Sequence, residues 1–210
     1  MAATAIVMLL PYAASLPGWW GQLVQLAVVS APALAAVALA IGCCASGGFV
    51  RRVFAWRWSD LGLGVAVALL LRGVQEVLAP TTGSLLVGFE APSPLTLGVV
   101  IAGAVVVTPV VEELFFRGLL LAALVDAFGG VRRLLSAGGA VAVSAAVFAW
   151  LHIVPLGTLG SPGGALWPAM LAPLLLGIAC GVVFVLTRRL AAGIVTHVVF
   201  NASGMLLLLL

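Results

Sequence analysis

Two adjacent carboxylates and an arginine stand inside an oily stretch, Val110-Val111-Glu112-Glu113-Leu114-Phe115-Phe116-Arg117-Gly118, and the fifteen residues before it, Leu95 to Pro109, carry no charge. A charged side chain in hydrocarbon costs from about 2.5 kcal/mol to several times that, so three together require partners or a wet cavity. On a helix, Glu113 and Arg117 are i,i+4 neighbours and can neutralise each other. Glu112 points roughly 100° away from Glu113 and has no local partner. Its candidate partners lie on other segments: His152, His197 and Asn201.

Groups of these types support two chemistries. A carboxylate and an imidazole can together deprotonate a water and later protonate a leaving amine, while a second imidazole and an Asn amide donate hydrogen bonds to a developing oxyanion. The set Glu112, His152 and His197 could instead hold one divalent metal, with Zn²⁺ the best match to imidazole and carboxylate ligands. The H-E-x-x-H signature of soluble zinc proteases is absent. Either arrangement hydrolyses amide bonds, and the residues leave both open.

The elements that must position these groups are membrane spans. Of 210 residues, 64% are hydrophobic and only 7% charged, against about a quarter charged in an ordinary soluble domain. Several uncharged runs approach the roughly 20 residues that cross a bilayer core as helix. The expected fold is therefore an all-α polytopic integral membrane helix bundle, with the lipid bilayer as its surroundings. The net charge of +3 comes from nine arginines and no lysine. They stand mostly in pairs at segment ends, as membrane topology requires, and give no sign of a nucleic-acid partner. Cys43, Cys44 and Cys180 have no metal-type spacing and read as small hydrophobes.

About seven transmembrane helices are expected, with six to eight admissible. Residues 1–17, interrupted by Pro11 and closed by Pro17-Gly18-Trp19-Trp20, form a first span or a half-inserted segment. Spans over 22–43 and 61–79 follow, the latter capped by Ser59-Asp60. Then come a long helix over 95–127, a fifth to about 154, a sixth over 165–187 and a last over 190–210. On the third, Arg72 and Glu76 are i,i+4, either as a structural ion pair or as part of the wall around Glu112. The chain reads as one domain, 1–210, with a motif-bearing core over about 95–205 and accessory helices over 1–90.

Arginine-bearing loops (44–60, 130–133, 188–189) alternate with arginine-free ones (80–94, 155–164). By the positive-inside rule the first set faces the cytoplasm. With seven spans the N-terminus is then cytoplasmic, in what is expected to be a bacterial cell membrane. At about 1.5 Å per residue from the arginine-bearing side, His197 lies on the order of 10 Å deep and Glu112 on the order of 20 Å. A fifth helix starting at Arg133 would leave His152 nearly 30 Å deep by the same count. The sequence Ser136-Ala137-Gly138-Gly139 therefore predicts a break, with the true span beginning near Ala140.

Glu112-Glu113-x-x-x-Arg117, Phe148-x-x-x-His152 and His197-x-x-x-Asn201 resemble, in order, the three motifs of the CPBP-type intramembrane proteases. That family includes the CAAX prenyl endopeptidases and the Abi-type immunity proteins. The resemblance covers about residues 95–205 and implies an intramembrane endopeptidase. It implies that Glu112 and His152 activate the attacking water and that His197 and Asn201 stabilise the oxyanion. Glu113 and Arg117 would be a supporting pair, with Phe148 packed one turn from His152. The implied substrate is a membrane-associated peptide or protein, a prenylated C-terminus for the CAAX-type relatives. The family has been described both as metal-dependent and as metal-independent, so the cofactor is either one divalent metal or none. Two rival classes are a non-catalytic peptide-binding or immunity membrane protein and a proton-coupled transporter. The second should show internal repeats, and the chain has none.

Overall fold

The computed structural model describes residues 15–43, 47–81, 93–128, 133–153 and 166–209. Among them the regular structure is helical throughout, without a strand. Hydrocarbon imposes this, because each backbone N–H and C=O must find its partner within its own segment. Six helices are long and apolar enough to cross a membrane. They are α1 Gly18–Cys43, α3 Trp58–Leu78, α4 Pro94–Ala127, α5 Arg133–Ile153, α6 Leu166–Thr187 and α7 Leu190–Leu209. A short helix α2, Gly47–Val53, precedes α3. The chain is an integral membrane protein, and the expected all-α bundle holds, with six spans among the described residues. The expected first span, residues 1–17, lies almost wholly outside the described residues, as do most of 80–94 and the loop 155–164.

Local sequence sets the helix starts. Ser93 caps α4, its hydroxyl accepting from the Thr96 amide at 3.2 Å, with Pro94 pre-set for the first turn. Asp60 caps α3 by accepting from the Arg57 amide at 2.9 Å. α5 runs unbroken through Ser136-Ala137-Gly138-Gly139, so the predicted break is absent. A glycine costs a helix only about 1 kcal/mol, and hydrocarbon offers a broken backbone no partner, so the continuous form is kept.

α3 and α7 pack together and run parallel. Asp60 meets Arg189, Gly64 lies against Ala192 and Val195, and Arg72 reaches Phe200 and Ser203. Two elements entering the membrane from the same side is what the two arginine-bearing loops, 44–60 and 188–189, require. The α6–α7 turn is tight: Arg188 is left-handed (φ 57°), and Arg189 grips Asp60 through Nε at 2.9 Å and Nη2 at 2.5 Å. That fork-to-carboxylate contact holds the Arg189 guanidinium pKa above its ordinary value.

α5 and α6 meet through Gly177-x-x-x-Gly181. A Cβ at Gly177 would lie 3.1 Å from Ala145, and one at Gly181 3.0 Å from Val141. This is the small-residue contact by which membrane helices approach.

Candidate active site

α4 carries the two carboxylates and is not a regular helix. Gly103–Val107 and Leu114–Leu121 are wider π turns, flanking the α-helical Thr108–Glu113. Such turns are rare and concentrate at functional sites. In the first, the Thr108 amide donates five residues back, to Gly103 O, and the next residue, Pro109, has no N–H. Ala104 O is thereby skipped, and its next neighbour along the π ladder is Pro109, which has nothing to give. A buried carbonyl left unpaired costs about 1–3 kcal/mol. Asn201, on α7, supplies the bond: its Nδ2 donates to Ala104 O at 2.9 Å. In the second π turn, Ser144 of α5 similarly donates to Phe116 O at 3.4 Å.

Glu113 and Arg117 form the expected pair, fully buried, with Nη1 2.9 Å from Oε1. Arg117 Nη2 also donates to Gly177 O at 2.9 Å. Its charge lies over the Phe148 ring, 4.9 Å from the centroid. Glu113 Oε1 accepts from His197 Nδ1 at 3.1 Å. A carboxylate only accepts, so Nδ1 of His197 carries a proton and Nε2 is turned away from Glu113. The pairing is thus a chain of Arg117, Glu113 and His197 across α4 and α7.

Glu112 sits beyond that chain. Its Oε2 is 3.6 Å from His197 Nε2 and its Oε1 is 3.7 Å from His152 Nε2. Both separations exceed a hydrogen bond, so neither imidazole nitrogen is bonded directly to the carboxylate. His152 Nδ1 faces Phe148 O at 2.8 Å, so that nitrogen too carries the proton. Phe148, buried, packs against both imidazoles at 4.3 and 5.7 Å between centroids. Burial grades across the site: His197 is 2% exposed, Glu112 20% and His152 38%.

All the sequence-predicted site residues lie around this constellation. Glu112, His152 and His197 converge directly, Glu113, Arg117 and Phe148 support them, and Asn201 reaches α4 a little over two turns upstream of Glu112. Arg72 resolves differently. It pairs with Glu76 at 3.3 Å but also donates to Phe200 O at 2.6 Å and Ser203 Oγ at 3.1 Å. Its guanidinium is thus held between α3 and α7. Of the glycines around the site, Gly193 and Gly204 escaped the sequence reading. Gly177 supplies the carbonyl for Arg117, and Gly204 leaves room for Arg72. Gly193 leaves room for Glu113: a Cβ there would lie 3.0 Å from Glu113 Oε2.

The donor types of Glu112, His152 and His197 suit zinc. Among the described residues, however, no three His, Cys, Asp or Glu groups converge closely enough to hold a metal ion. Glu112, His152 and His197 therefore do not form a preformed metal site.

Residues 94–203 match the family model described as type II CAAX prenyl endopeptidase, Rce1-like. The chain belongs to that family. The match spans just over half of the sequence and contains all three motifs, so the chain is a CAAX-type membrane endopeptidase by family, with a membrane-associated peptide as the class of substrate. Arg72 and Asp60 lie outside the match. No curated protein and no solved structure matches the chain.

Proposed function

We propose that the chain cleaves its substrate with a water held by Glu112 and His152, and that no metal takes part. The observation that carries this reading is the placement of one carboxylate between two imidazole Nε2 atoms, at 3.7 and 3.6 Å. Charge counting supports it. Glu112 and Glu113 bring two negative charges to a low-dielectric interior and Arg117 brings one positive charge. A neutral cluster needs one further proton, shared among Glu112, His197 and His152.

With that proton on His197 Nε2, the roles follow. Glu112 takes a proton from the water as its oxygen attacks the scissile carbonyl carbon, and His152 Nε2 accepts from the water's other hydrogen and orients it. The developing oxyanion accepts from His197 Nε2–H and from the Asn201 amide hydrogen not engaged by Ala104. The proton on Glu112 then passes to the leaving amine as the C–N bond breaks. Glu113 and Arg117 hold His197 in the orientation this requires. In this reading the arginine-bearing loops face the cytoplasm of a bacterial cell, with the N-terminus on the same side. The substrate is a lipidated C-terminal segment, as the CAAX description of the family suggests.

Metal content of purified, active protein tests the mechanism. Less than stoichiometric metal, with cleavage that survives chelation, is expected. One zinc per chain, lost in Glu112→Gln and His197→Ala, would recast both residues as ligands. Comparing a prenylated peptide with its unmodified counterpart tests the substrate class.

A further inference from the structure

Asn201 has a second task on α4. We infer that it is a positioning residue for Glu112, acting as the external donor that keeps the Gly103–Val107 π turn in place. This rests on the reading of Glu112 as the base and adds to the oxyanion role given to the other amide hydrogen.

The argument is one of backbone accounting. Thr108 N–H goes to Gly103 O, Pro109 offers no N–H, and Ala104 O, so skipped, accepts from Asn201 Nδ2 at 2.9 Å. A π turn holds about one residue more than an α turn. If it relaxed, everything after it would rotate by up to about the 100° that separates successive residues. Glu112 follows directly within the same helix, and its approach to both imidazoles depends on that rotation. Proline thus leaves a carbonyl of the widened turn without a backbone donor, and the asparagine fills the vacancy from a different helix. The two residues form a functional couple 92 positions apart in sequence, Pro109 to Asn201.

The couple can be tested because its chemistry can be moved from one residue to the other. Pro109→Ala returns an N–H that can reach Ala104 O along the π ladder, so it should relieve the need for Asn201. The full-length protein is purified in lipid nanodiscs as wild type, Asn201→Ala, Pro109→Ala and the double variant. Cleavage of a membrane-anchored peptide gives kcat and KM. Imidazole ¹⁵N spectra give a readout independent of cleavage, since the chain has two histidines. His152 stands on α5, away from Asn201, and its Nε2, 3.7 Å from Glu112 Oε1, reports on the position of that carboxylate.

Asn201→Ala should lower kcat by about 10²-fold at nearly constant KM and shift the His152 signals. Adding Pro109→Ala should restore the His152 signals and recover about tenfold in kcat, the remaining deficit being the lost oxyanion donor. Unmoved His152 signals in Asn201→Ala, or no recovery in the double variant, would overturn the inference. Should Asn201→Ala fail to fold, recovery of folding in the double variant supports the brace, and failure of both overturns it. If wild type cleaves nothing, the assignment of Glu112 as base fails while the His152 response still decides the brace.

Discussion

Glu112 and Glu113 are neighbours in sequence and opposites in setting. Glu113 is sealed, with Arg117 and His197 against one oxygen and Gly193 giving way to the other. Glu112 is partly open, faces two imidazole nitrogens and lies beyond hydrogen-bond reach of both. One α-helical step of about 100° separates a group whose charge is neutralised by a fixed ion pair from one whose charge is left available. Burial of a charge without a partner is expensive, so the chain concentrates its neutralising groups on one carboxylate and keeps the other reactive.

The sharpest way to break that contrast is to remove each carboxylate in turn. Glu112→Gln should lower kcat by about 10²–10⁴-fold, the range for a lost general base, while leaving the denaturant midpoint of the folded protein nearly unchanged. Glu113→Gln should do the reverse in emphasis. Leaving Arg117 buried and unpaired costs about 3–5 kcal/mol of stability, read by SDS titration of the reconstituted protein. If Glu112→Gln destabilises as much as Glu113→Gln, the division of labour is wrong.

A double-variant cycle refines the second half of that comparison. Arg117→Met alone leaves Glu113 charged and unpaired, again a loss of about 3–5 kcal/mol. Combined with Glu113→Gln it should cost clearly less than the two losses added, with a coupling of about 1–3 kcal/mol. Part of the loss will persist, because Arg117 also serves Gly177 O and Glu113 also holds His197. Simple additivity would mean the pair is not the unit described.

How much of this was readable beforehand follows from where the information lies. The Glu113–Arg117 pair is local, fixed by i,i+4 spacing, and its partners are chemically conspicuous in an oily sequence. The meeting of Glu112 with His152 and His197 was readable because few other polar groups sit in the spans. The shared side of the 44–60 and 188–189 loops was readable from arginine alone, and the parallel α3–α7 pair agrees with it. The π turns were not, since they arise from a tertiary donor reaching a backbone carbonyl that every residue possesses. Arg72 looked like half of an ion pair with Glu76 for the same reason: Phe200 O leaves no mark in the sequence. Gly193 was invisible because its contribution is an absent Cβ. The unbroken α5 shows the opposite error, where Gly138-Gly139 suggested a break and a helix within a membrane bundle absorbed both.

Gly193 offers an intermediate test. Gly193→Ala places a methyl 3.0 Å from Glu113 Oε2 and 3.9 Å from Cys180 O. Overpacking of this kind costs about 1–3 kcal/mol. Because the displaced carboxylate also holds His197, activity should fall along with stability. A variant that loses stability but keeps full kcat would mean that His197 does not depend on Glu113 for its orientation.

The smallest expected effect lies far from both carboxylates, at the α6–α7 turn. Arg188 adopts a left-handed backbone, which costs a non-glycine residue roughly 1–2 kcal/mol. Glycine removes that cost but adds back about 0.5–1 kcal/mol of backbone entropy. Arg188→Gly should therefore stabilise the protein by about 1 kcal/mol or less. Arg189, with its grip on Asp60, remains to hold the turn and the charge on that side. Neither carboxylate should sense the change, so kcat should stay at the wild-type value. A gain in stability accompanied by a change in kcat would mean that the turn and the site are mechanically linked through α7, and the separation between fixed and reactive halves would then have to include the helix that carries His197.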